Sequence, residues 1–294
     1  MSLNLNSLRL FEAVARTGSF TRAADDVHVS QPAISKAVRE IERSLGVVLF
    51  ERSARGARLT QAGEVLAEQA RTLFGLARAA EEEMRSFAGL GRGTLRIGAS
   101  TTIATYLLPP LLGRFTQQYP GIDLCLVSAN TLDIVRQLVA YELDVALVEG
   151  PVSRPDVRVT RWREDDLVLI APAGHPLIQL GRAARWLEVA REPLLIREPG
   201  SGTGEVVAAA LAARRLVPSR TRELGSTEAI KQAVAAGLGL AFVSHAAAED
   251  QLALGKLAMV RVAGLDIRRH LSQLRLPGRR QSAVAQAFQS LLKE

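Results

Sequence analysis

The sequence predicts an α/β protein that begins with an all-α winged helix-turn-helix, continues through a long linker helix and ends in a two-lobed α/β domain. Three observations predict this organisation. Apolar residues recur at helical spacing through the first 45 residues. A heptad pattern then extends from residue 66 to residue 87. After the glycines at 89, 91 and 93, strand-like and helix-like segments alternate, as they do when helices cover a parallel sheet.

The composition is that of a globular protein. Of 294 residues, 48% are hydrophobic and 23% are charged, which is enough apolar material for a sizeable core. Cys125 is the only cysteine, so no disulfide can form within one chain and a cytoplasmic location is expected. Because Cys125 alternates with Leu124 and Leu126, it is predicted to be a buried structural thiol. No apolar run is long enough to cross a membrane, and the N-terminus lacks signal-peptide features.

The net charge of +7 is concentrated at the two ends of the chain. Residues 1–62 carry 9 Lys and Arg against 6 Asp and Glu, and residues 264–294 carry 6 against 2. This excess alone is weak evidence for nucleic acid. The four histidines are far apart without ligand-type spacing, so no metal site is expected. No nucleophile–base constellation is visible, and we expect no catalytic residues and no enzymatic activity.

Three short helices are predicted at the N-terminus. Apolar residues at helical spacing from Leu5 to Val14 give the first. Ser19 is suited to cap a second helix over residues 20–26, and Ser30 a third over residues 31–45. The predicted buried stripe of the third helix consists of Ile34, Val38, Ile41 and Leu45.

The opposite side of the third helix carries side chains that suit DNA. Amide, hydroxyl and cationic groups can reach base edges or phosphates in the major groove. A wing follows, in which two extended runs flank residues 54–56, and no acid lies between Arg52 and Gly63. The alternative is a small helical unit with a solvated basic surface, but the acid-free wing favours DNA binding. The polar residues of this surface are Gln31, Ser35, Lys36, Arg39 and Arg43 on the helix, and Arg52, Arg55 and Arg58 on the wing.

A long helix is predicted from Gln61 to Phe87, with Thr60 as its cap. Its apolar residues keep a 3.5-residue spacing, and its small alanines would let two helix backbones approach closely. The alternative is a surface helix packed on its own domain; the sustained spacing favours pairing between two chains. The predicted dimerisation seam is Leu66, Ala70, Leu73, Ala77, Ala80, Met84 and Phe87.

Beyond residue 93, two successive α/β sets predict two lobes with a cleft between them. Hydroxyl-rich loops follow three strands: residues 100–102, residues 130–131, and the segment PGSGTG at 199–204. Hydroxyls and backbone N–H groups at helix starts can hold a carboxylate, sulfate or phosphate. The glycine spacing of 199–204 matches neither a P-loop nor a dinucleotide fingerprint. Each loop could be an ordinary helix cap, but the three together favour a ligand site.

The segment from Leu8 to Gly63 resembles the winged helix-turn-helix of the LysR-type transcriptional regulators. This resemblance implies base or backbone contacts by Gln31, Pro32, Ser35, Lys36 and Arg39, and phosphate contacts by Arg52 and its wing neighbours. The matching residues are Phe11, Val14, Gly18, Ser19, Ala23, Ala24, Ser30, Gln31, Pro32, Ala33, Ser35, Ile41, Glu42, Leu45, Gly46, Leu49, Phe50, Arg52, Leu59, Thr60, Ala62 and Gly63.

The resemblance continues to the C-terminus through LLPPLLGRFTQQYPGIDL, LDVALVEG, GHPL, PGSGT and AAGLGLAFVS. It implies a bacterial regulator with a periplasmic-binding-protein-like effector domain, a dimer through the linker helix and a homotetramer. The implied domains are 1–60 for DNA binding, 61–88 for the linker helix, 89–93 for a hinge and 94–294 for the effector domain. Lobe I would span 94–161 and 265–294, and lobe II 162–264.

The resemblance also suggests where the effector lies. Ser100, Thr102, Thr131 and Thr203 match effector-contacting positions, and Ser201 belongs to the same loop as Thr203. The runs REPGSGT and GSTEAIKQAVAAGLGL are similar to the branch that includes regulators of carbon fixation and sulfur metabolism. Many members of that branch carry a cation where this chain has Gly204, and Arg197 is the candidate substitute.

The function that these patterns predict is a sequence-specific, DNA-binding transcriptional regulator. It would use no cofactor, and a small, anionic effector would change the angle between its lobes. The alternatives are a two-lobed solute-binding protein or α/β enzyme, and an architectural DNA binder without an effector. The N-terminal module and the missing signal peptide disfavour both the solute-binding protein and the enzyme. A polar cleft would disfavour the architectural DNA binder.

Overall fold

The computed structural model describes residues 3–53, 56–86 and 93–293. The chain forms two compact units. The first contains residues 1–81 together with 140–142, and the second contains 82–139 and 143–294. Within the described ranges, we find no helix that is both long and apolar enough to span a membrane.

The first unit is a three-helix module followed by a hairpin and a long helix. Ser19 and Ser30 cap the second and third helices as predicted, with side chains that accept from backbone N–H groups in the first turn. Phe11 and Ile34 are fully buried, whereas Leu45 is 41% exposed, which corrects its predicted place in the buried stripe. The elements are α1 (Leu5–Thr17), α2 (Phe20–Asp26), α3 (Gln31–Leu45), β1 (Phe50–Ser53), β2 (Gly56–Leu59) and α4 (Gln61–Ser86).

The β1–β2 hairpin is the predicted wing, and it is anchored to the turn between α1 and α2. The amide of Ala57 donates to the carbonyl of Gly18 at 3.0 Å. A Cβ on Gly56 would lie 2.8 Å from that carbonyl oxygen, and Gly56 has a φ of 126°. Position 56 therefore requires glycine, because a side chain would clash with the Gly18 carbonyl and would be strained at this positive φ.

The described residues of the second unit form a mixed sheet of nine strands. Eight of them follow the order β4-β3-β5-β11-β6-β9-β7-β8, and β10 pairs with β6 beside this path. The strands are β3 (Gly93–Ser100), β4 (Ile122–Ala129), β5 (Val145–Val148), β6 (Arg158–Pro172), β7 (Leu194–Ile196), β8 (Thr221–Glu223), β9 (Leu240–Ser244), β10 (Leu257–Val260) and β11 (Ile267–Arg275). The helices are α5 (Pro109–Gln118), α6 (Thr131–Val139), α7 (Trp186–Val189), α8 (Gly202–Ala213), α9 (Thr227–Ala235), α10 (His245–Ala253) and α11 (Ala283–Leu291).

Separate hydrophobic cores define two lobes in this unit. Lobe I is built around Ile97 and Phe288, and lobe II around Leu169 and Phe242. The antiparallel strands β6 and β11 run through both lobes and join them. The lobe limit expected between residues 161 and 162 falls inside β6, where Trp162 still packs on the lobe I core. The lobe limit expected between residues 264 and 265 falls just before β11.

Several local predictions are corrected by the structure. The helix predicted over 105–119 is divided into a π-helical turn (Ile103–Leu107) and α5, because two consecutive prolines begin α5 and cannot donate to the preceding turn. The strand predicted over 166–172 is the second half of the longer β6. Cys125 is exposed rather than buried, since β4 is the edge strand of the sheet.

Candidate functional site

The N-terminal half of α3 presents Gln31, Pro32, Lys36 and Arg39 to solvent, as predicted. Ser35, predicted on the same exposed face, is instead buried, with 6% of its surface accessible. Its hydroxyl accepts a hydrogen bond from Gln31 Nε2 at 3.1 Å, and its carbonyl accepts one from Arg39 Nε at 3.1 Å. Ser35 therefore orients two neighbouring polar side chains.

Nearby carboxylates reduce the positive charge of this surface. Lys36 Nζ lies 3.9 Å from Glu40 Oε1, and both side chains are at least half exposed. On the wing, Arg58 is directly opposite Glu51 in the hairpin register. Arg52 lies on β1, and Arg55 lies outside the described residues. Such exposed pairs are worth little and exchange readily for phosphate contacts.

The predicted dimerisation seam of α4 divides into two parts. Ala70 is fully buried in the core of the first unit, which corrects its assignment to an interface between chains. Leu66 packs against the same core but is only partly buried, so its place in the seam stays a prediction. The spacing of apolar residues predicts which face of a helix is buried. It does not predict whether that face packs against the same chain or against a second chain. Farther along the helix, apolar side chains remain exposed, and Phe87 lies outside the described residues. The exposed residues are Leu73 (40%), Leu76 (52%), Ala77, Ala80 and Met84 (62%).

Hydroxyl groups converge at the ends of two lobe I strands. Ser100 ends β3, Thr102 precedes the π-helical turn, and Thr131 begins α6. All three side chains are at least 95% buried. None of the three hydroxyl oxygens has a hydrogen-bond partner among the described residues. Buried hydroxyls without partners are costly, so a cluster of them indicates a place built for a ligand.

Lobe II meets this cluster with the first turn of α8. Ser201 caps the helix by accepting from the amide of Gly204 at 3.4 Å. The amide of Leu132 on lobe I donates to the carbonyl of Gly200 at 3.3 Å. A Cβ on Gly202 would lie 2.6 Å from Gly150 Cα, so glycine allows the two lobes to approach at backbone contact here.

A buried charge network, which we did not predict from the sequence, lies beside α8. Arg269 on β11 is 4% exposed, and its Nη2 lies 2.6 Å from Asp165 Oδ2 and 3.2 Å from Glu149 Oε2. Its Nη1 donates to Thr203 Oγ1 at 2.8 Å, and Ser244 donates to Asp165 at 2.7 Å. Thr203 is therefore held by the strands that join the lobes.

The structure places a carboxylate against Arg197, the candidate cation of the effector site. Its Nε and Nη2 donate to the two oxygens of Glu198 at 2.7 and 2.8 Å, and Nη1 donates to Thr227 at 2.9 Å. Arg197 is 94% buried and is paired with this internal anion. An anionic ligand would have to displace Glu198 to use Arg197.

A second contact between the lobes involves Tyr106 of the π-helical turn, which donates to Glu228 Oε2 on α9 at 2.8 Å. Lys231 Nζ lies 2.9 Å from the same oxygen and donates to the carbonyl of Ala247. Burial raises the pKa of Tyr106. Burial acts to raise the pKa of Glu228 as well, but hydrogen bonds from Lys231, Gln232 and Tyr106 hold that pKa below its ordinary value.

Two family models account for nearly all of the chain. The model described as "Bacterial regulatory helix-turn-helix protein, lysR family" matches residues 5–64. The model described as "LysR substrate binding domain" matches residues 88–294. The chain belongs to the LysR family of transcriptional regulators. As a LysR-type regulator, it binds DNA through the N-terminal module and a small-molecule effector through the two-lobed domain.

Known proteins of the LysR family are similar along most of the chain. The "RuBisCO operon transcriptional regulator" of Allochromatium vinosum is 36% identical over 292 residues, covering 99% of this chain and 96% of that protein. A full-length variant of OxyR from Pseudomonas aeruginosa has a TM-score of 0.70 at 26% identity, covering 100% of this chain and 94% of the other. The CcmR regulatory domain of Synechocystis PCC6803, solved with 2-PG, has a TM-score of 0.64 at 32% identity and covers 69% and 96%.

Proposed function

We propose that this LysR-type regulator controls carbon-fixation genes in response to a small anion bound between the lobes of its effector domain. The similar regulator from Allochromatium vinosum carries the name of the RuBisCO operon. The similar CcmR domain binds 2-PG. The observation that carries the proposal is the cluster of buried hydroxyls at Ser100, Thr102 and Thr131, which have no hydrogen-bond partner among residues 3–53, 56–86 and 93–293.

Hydroxyls and helix ends, rather than a cation, would hold the anion. Thr131 is the first residue of α6, Ser201 is the N-cap of α8, and Thr203 lies in the first turn of α8. The backbone N–H groups of a helix N-terminus favour negative charge. The neighbouring network carries two carboxylates against Arg269, so it adds no net positive charge. A ligand with one or two negative charges fits this environment.

At the other end of the chain, Gln31, Pro32, Lys36 and Arg39 are the proposed contacts of α3 with the major groove. Ser35 is proposed to position two of these side chains, because its hydroxyl accepts from Gln31 and its carbonyl accepts from Arg39. The wing residues Arg52, Arg55 and Arg58 are proposed to contact phosphate. These contacts would fix the module on DNA, while base-edge contacts supply sequence preference.

The exposed part of α4 is the proposed dimer contact. Its core is Leu73, Ala77, Ala80 and Met84, which are solvent-exposed in the single chain and recur at spacings of four and three. Exposed apolar residues in a continuous stripe indicate a surface that another molecule covers. A homodimer would present two DNA-reading helices to a pseudo-palindromic site, and pairing of dimers would give a tetramer.

Effector binding would act by increasing the fraction of molecules in which the two lobes are closed on each other. The lobes touch at Gly150 and Gly202 and again through Tyr106 and Glu228. A ligand that bonds to hydroxyls of lobe I and to the first turn of α8 stabilises the closed arrangement. Such a ligand shifts the equilibrium only by its difference in affinity for the two arrangements.

Calorimetric titration of the full chain with 2-PG tests this site. We expect binding by the wild type and a loss of about tenfold or more in affinity for Thr102→Val and Thr131→Val, since a hydrogen bond to a charged ligand contributes roughly 1.5–3 kcal/mol. Thr116→Val is the matched control, because Thr116 is exposed on α5 of the same lobe. Equal affinities for all four proteins would refute the hydroxyl site.

A further inference from the structure

A pocket lies on the two strands that join the lobes, and Ser100, Thr102 and Thr131 are not among its lining residues. Its volume is about 520 Å³, and it lies along β6, β11 and the residues after α11. Four cations line it: Arg158, Arg161, Arg275 and Lys293. Among the described residues of the lining there is no Asp or Glu.

The strand register forces two of these cations together. Arg158 and Arg275 are directly opposite each other in the antiparallel pairing of β6 and β11. Like charges in that position destabilise a sheet. Within the part of the chain that the structure describes, neither Arg158 nor Arg161 has a carboxylate partner. The register also shifts between Leu271 and Ser272, an irregularity of the kind that often lies beside binding sites.

Two buried donors without acceptors lie on β11, at Gln273 and Arg275. Gln273 lines the pocket, is 92% buried, and its Nε2 has no hydrogen-bond partner among the described residues. Arg275 also lines the pocket, and its buried Nε likewise has no hydrogen-bond partner among the described residues. Gln289 on α11, outside the pocket lining, accepts from Arg275 through its Oε1, and its buried Nε2 has no partner within the described ranges. The two orphaned atoms that belong to lining residues, Gln273 Nε2 and Arg275 Nε, are both donors, so the group missing from the pocket is an acceptor.

We propose that this pocket binds a small phosphorylated anion that carries two linked phosphates or an equivalent charge, as a second ligand of the regulator. Guanidinium groups match phosphate oxygens in paired hydrogen bonds. The volume is within the range of small-molecule sites. A diphosphate would neutralise the facing arginines and provide acceptors for Gln273 and Arg275. Because β6 and β11 run through both lobes, such a ligand would bridge the strands that connect them.

Calorimetric titration of the full chain with inorganic pyrophosphate at low salt tests the proposal, with orthophosphate as the single-phosphate arm. We expect pyrophosphate to bind at least tenfold more tightly than orthophosphate. Arg158→Gln and Lys293→Gln should each weaken pyrophosphate binding about tenfold, because each removes a charge-assisted contact. Arg163→Gln is the matched control: Arg163 lies on β6, stacks 4.4 Å from the Trp162 ring and is outside the pocket lining.

A neutral variant separates binding from folding. Gln273→Leu should weaken pyrophosphate binding without lowering the melting temperature, because the buried Nε2 that it removes has no hydrogen-bond partner in the part of the chain that the structure describes. Thr102→Val should bind pyrophosphate normally, so failure of the hydroxyl site and failure of this pocket give different results. Three outcomes would overturn the proposal: no pyrophosphate binding by the wild type, equal weakening by Arg163→Gln, or loss of promoter-DNA affinity in Arg158→Gln without any specific pyrophosphate binding.

Discussion

Gly202→Ala should impair effector binding by holding the lobes apart. A Cβ at this position would lie 2.5 Å from Gly150 N, 2.6 Å from Gly150 Cα and 2.7 Å from Thr131 Oγ1. Two of these atoms are backbone, so no side-chain rotation can relieve the contact. Carbon atoms pack at about 3.5 Å or more, and the α8 turn must therefore retreat by roughly 0.9 Å. That distance stretches a normal hydrogen bond of about 2.9 Å beyond its useful range.

The loss of one such bond to a charged ligand corresponds to about tenfold in affinity. The assay is calorimetric titration with 2-PG, combined with hydrogen exchange of the Leu132 amide, which donates across the lobes to Gly200. Gly204→Ala is the control in the same helical turn, since its Cβ would meet Arg197 Cβ at an ordinary 3.4 Å. Wild-type affinity and unchanged Leu132 exchange in Gly202→Ala would refute the reasoning.

Four further predictions concern the other parts of the molecule. Thr102→Val should leave the melting temperature of the effector-free protein unchanged or raise it, since it removes a buried hydroxyl that no described residue bonds; a clear decrease would contradict this. Arg269→Met should cost about 3–5 kcal/mol in urea unfolding, because two carboxylates remain buried without their cation. Lys36→Ala should weaken promoter binding and reduce the slope of log affinity against log salt by about one, as measured by fluorescence anisotropy; an unchanged slope would exclude a phosphate contact. Leu73→Glu with Ala80→Glu should reduce the mass measured by light scattering to that of one chain, and an unchanged mass would contradict the α4 dimer.

Local sequence signals determined the N-terminal helices well. Ser19 and Ser30 are side-chain caps, and Gly46 takes the left-handed conformation that ends α3, so the limits of α2 and α3 follow from neighbouring residues. The hydroxyl loops were also visible, because each follows a strand and opens a helix or turn. Their burial and lack of partners depend on both lobes and required the structure.

Features that depend on distant residues were not predictable. Arg269 lies in the segment IRRHL, which is typical of a half-exposed strand; its burial depends on Asp165, 104 residues earlier in the chain. The heptad of α4 has the same difficulty, because Ala70 is buried by its own unit while Leu73 is exposed. Alternation around Cys125 likewise gives no indication that β4 is an edge strand.

The most direct test of the central claim is the effect of 2-PG on promoter binding by the wild type and by Thr102→Val. Fluorescence anisotropy with the promoter fragment next to the gene measures DNA affinity with and without the ligand. Our account predicts that 2-PG changes the affinity or salt dependence of the wild type, whereas Thr102→Val binds DNA like the ligand-free wild type and does not respond. A Thr102→Val protein that responds to 2-PG as the wild type does would contradict the account.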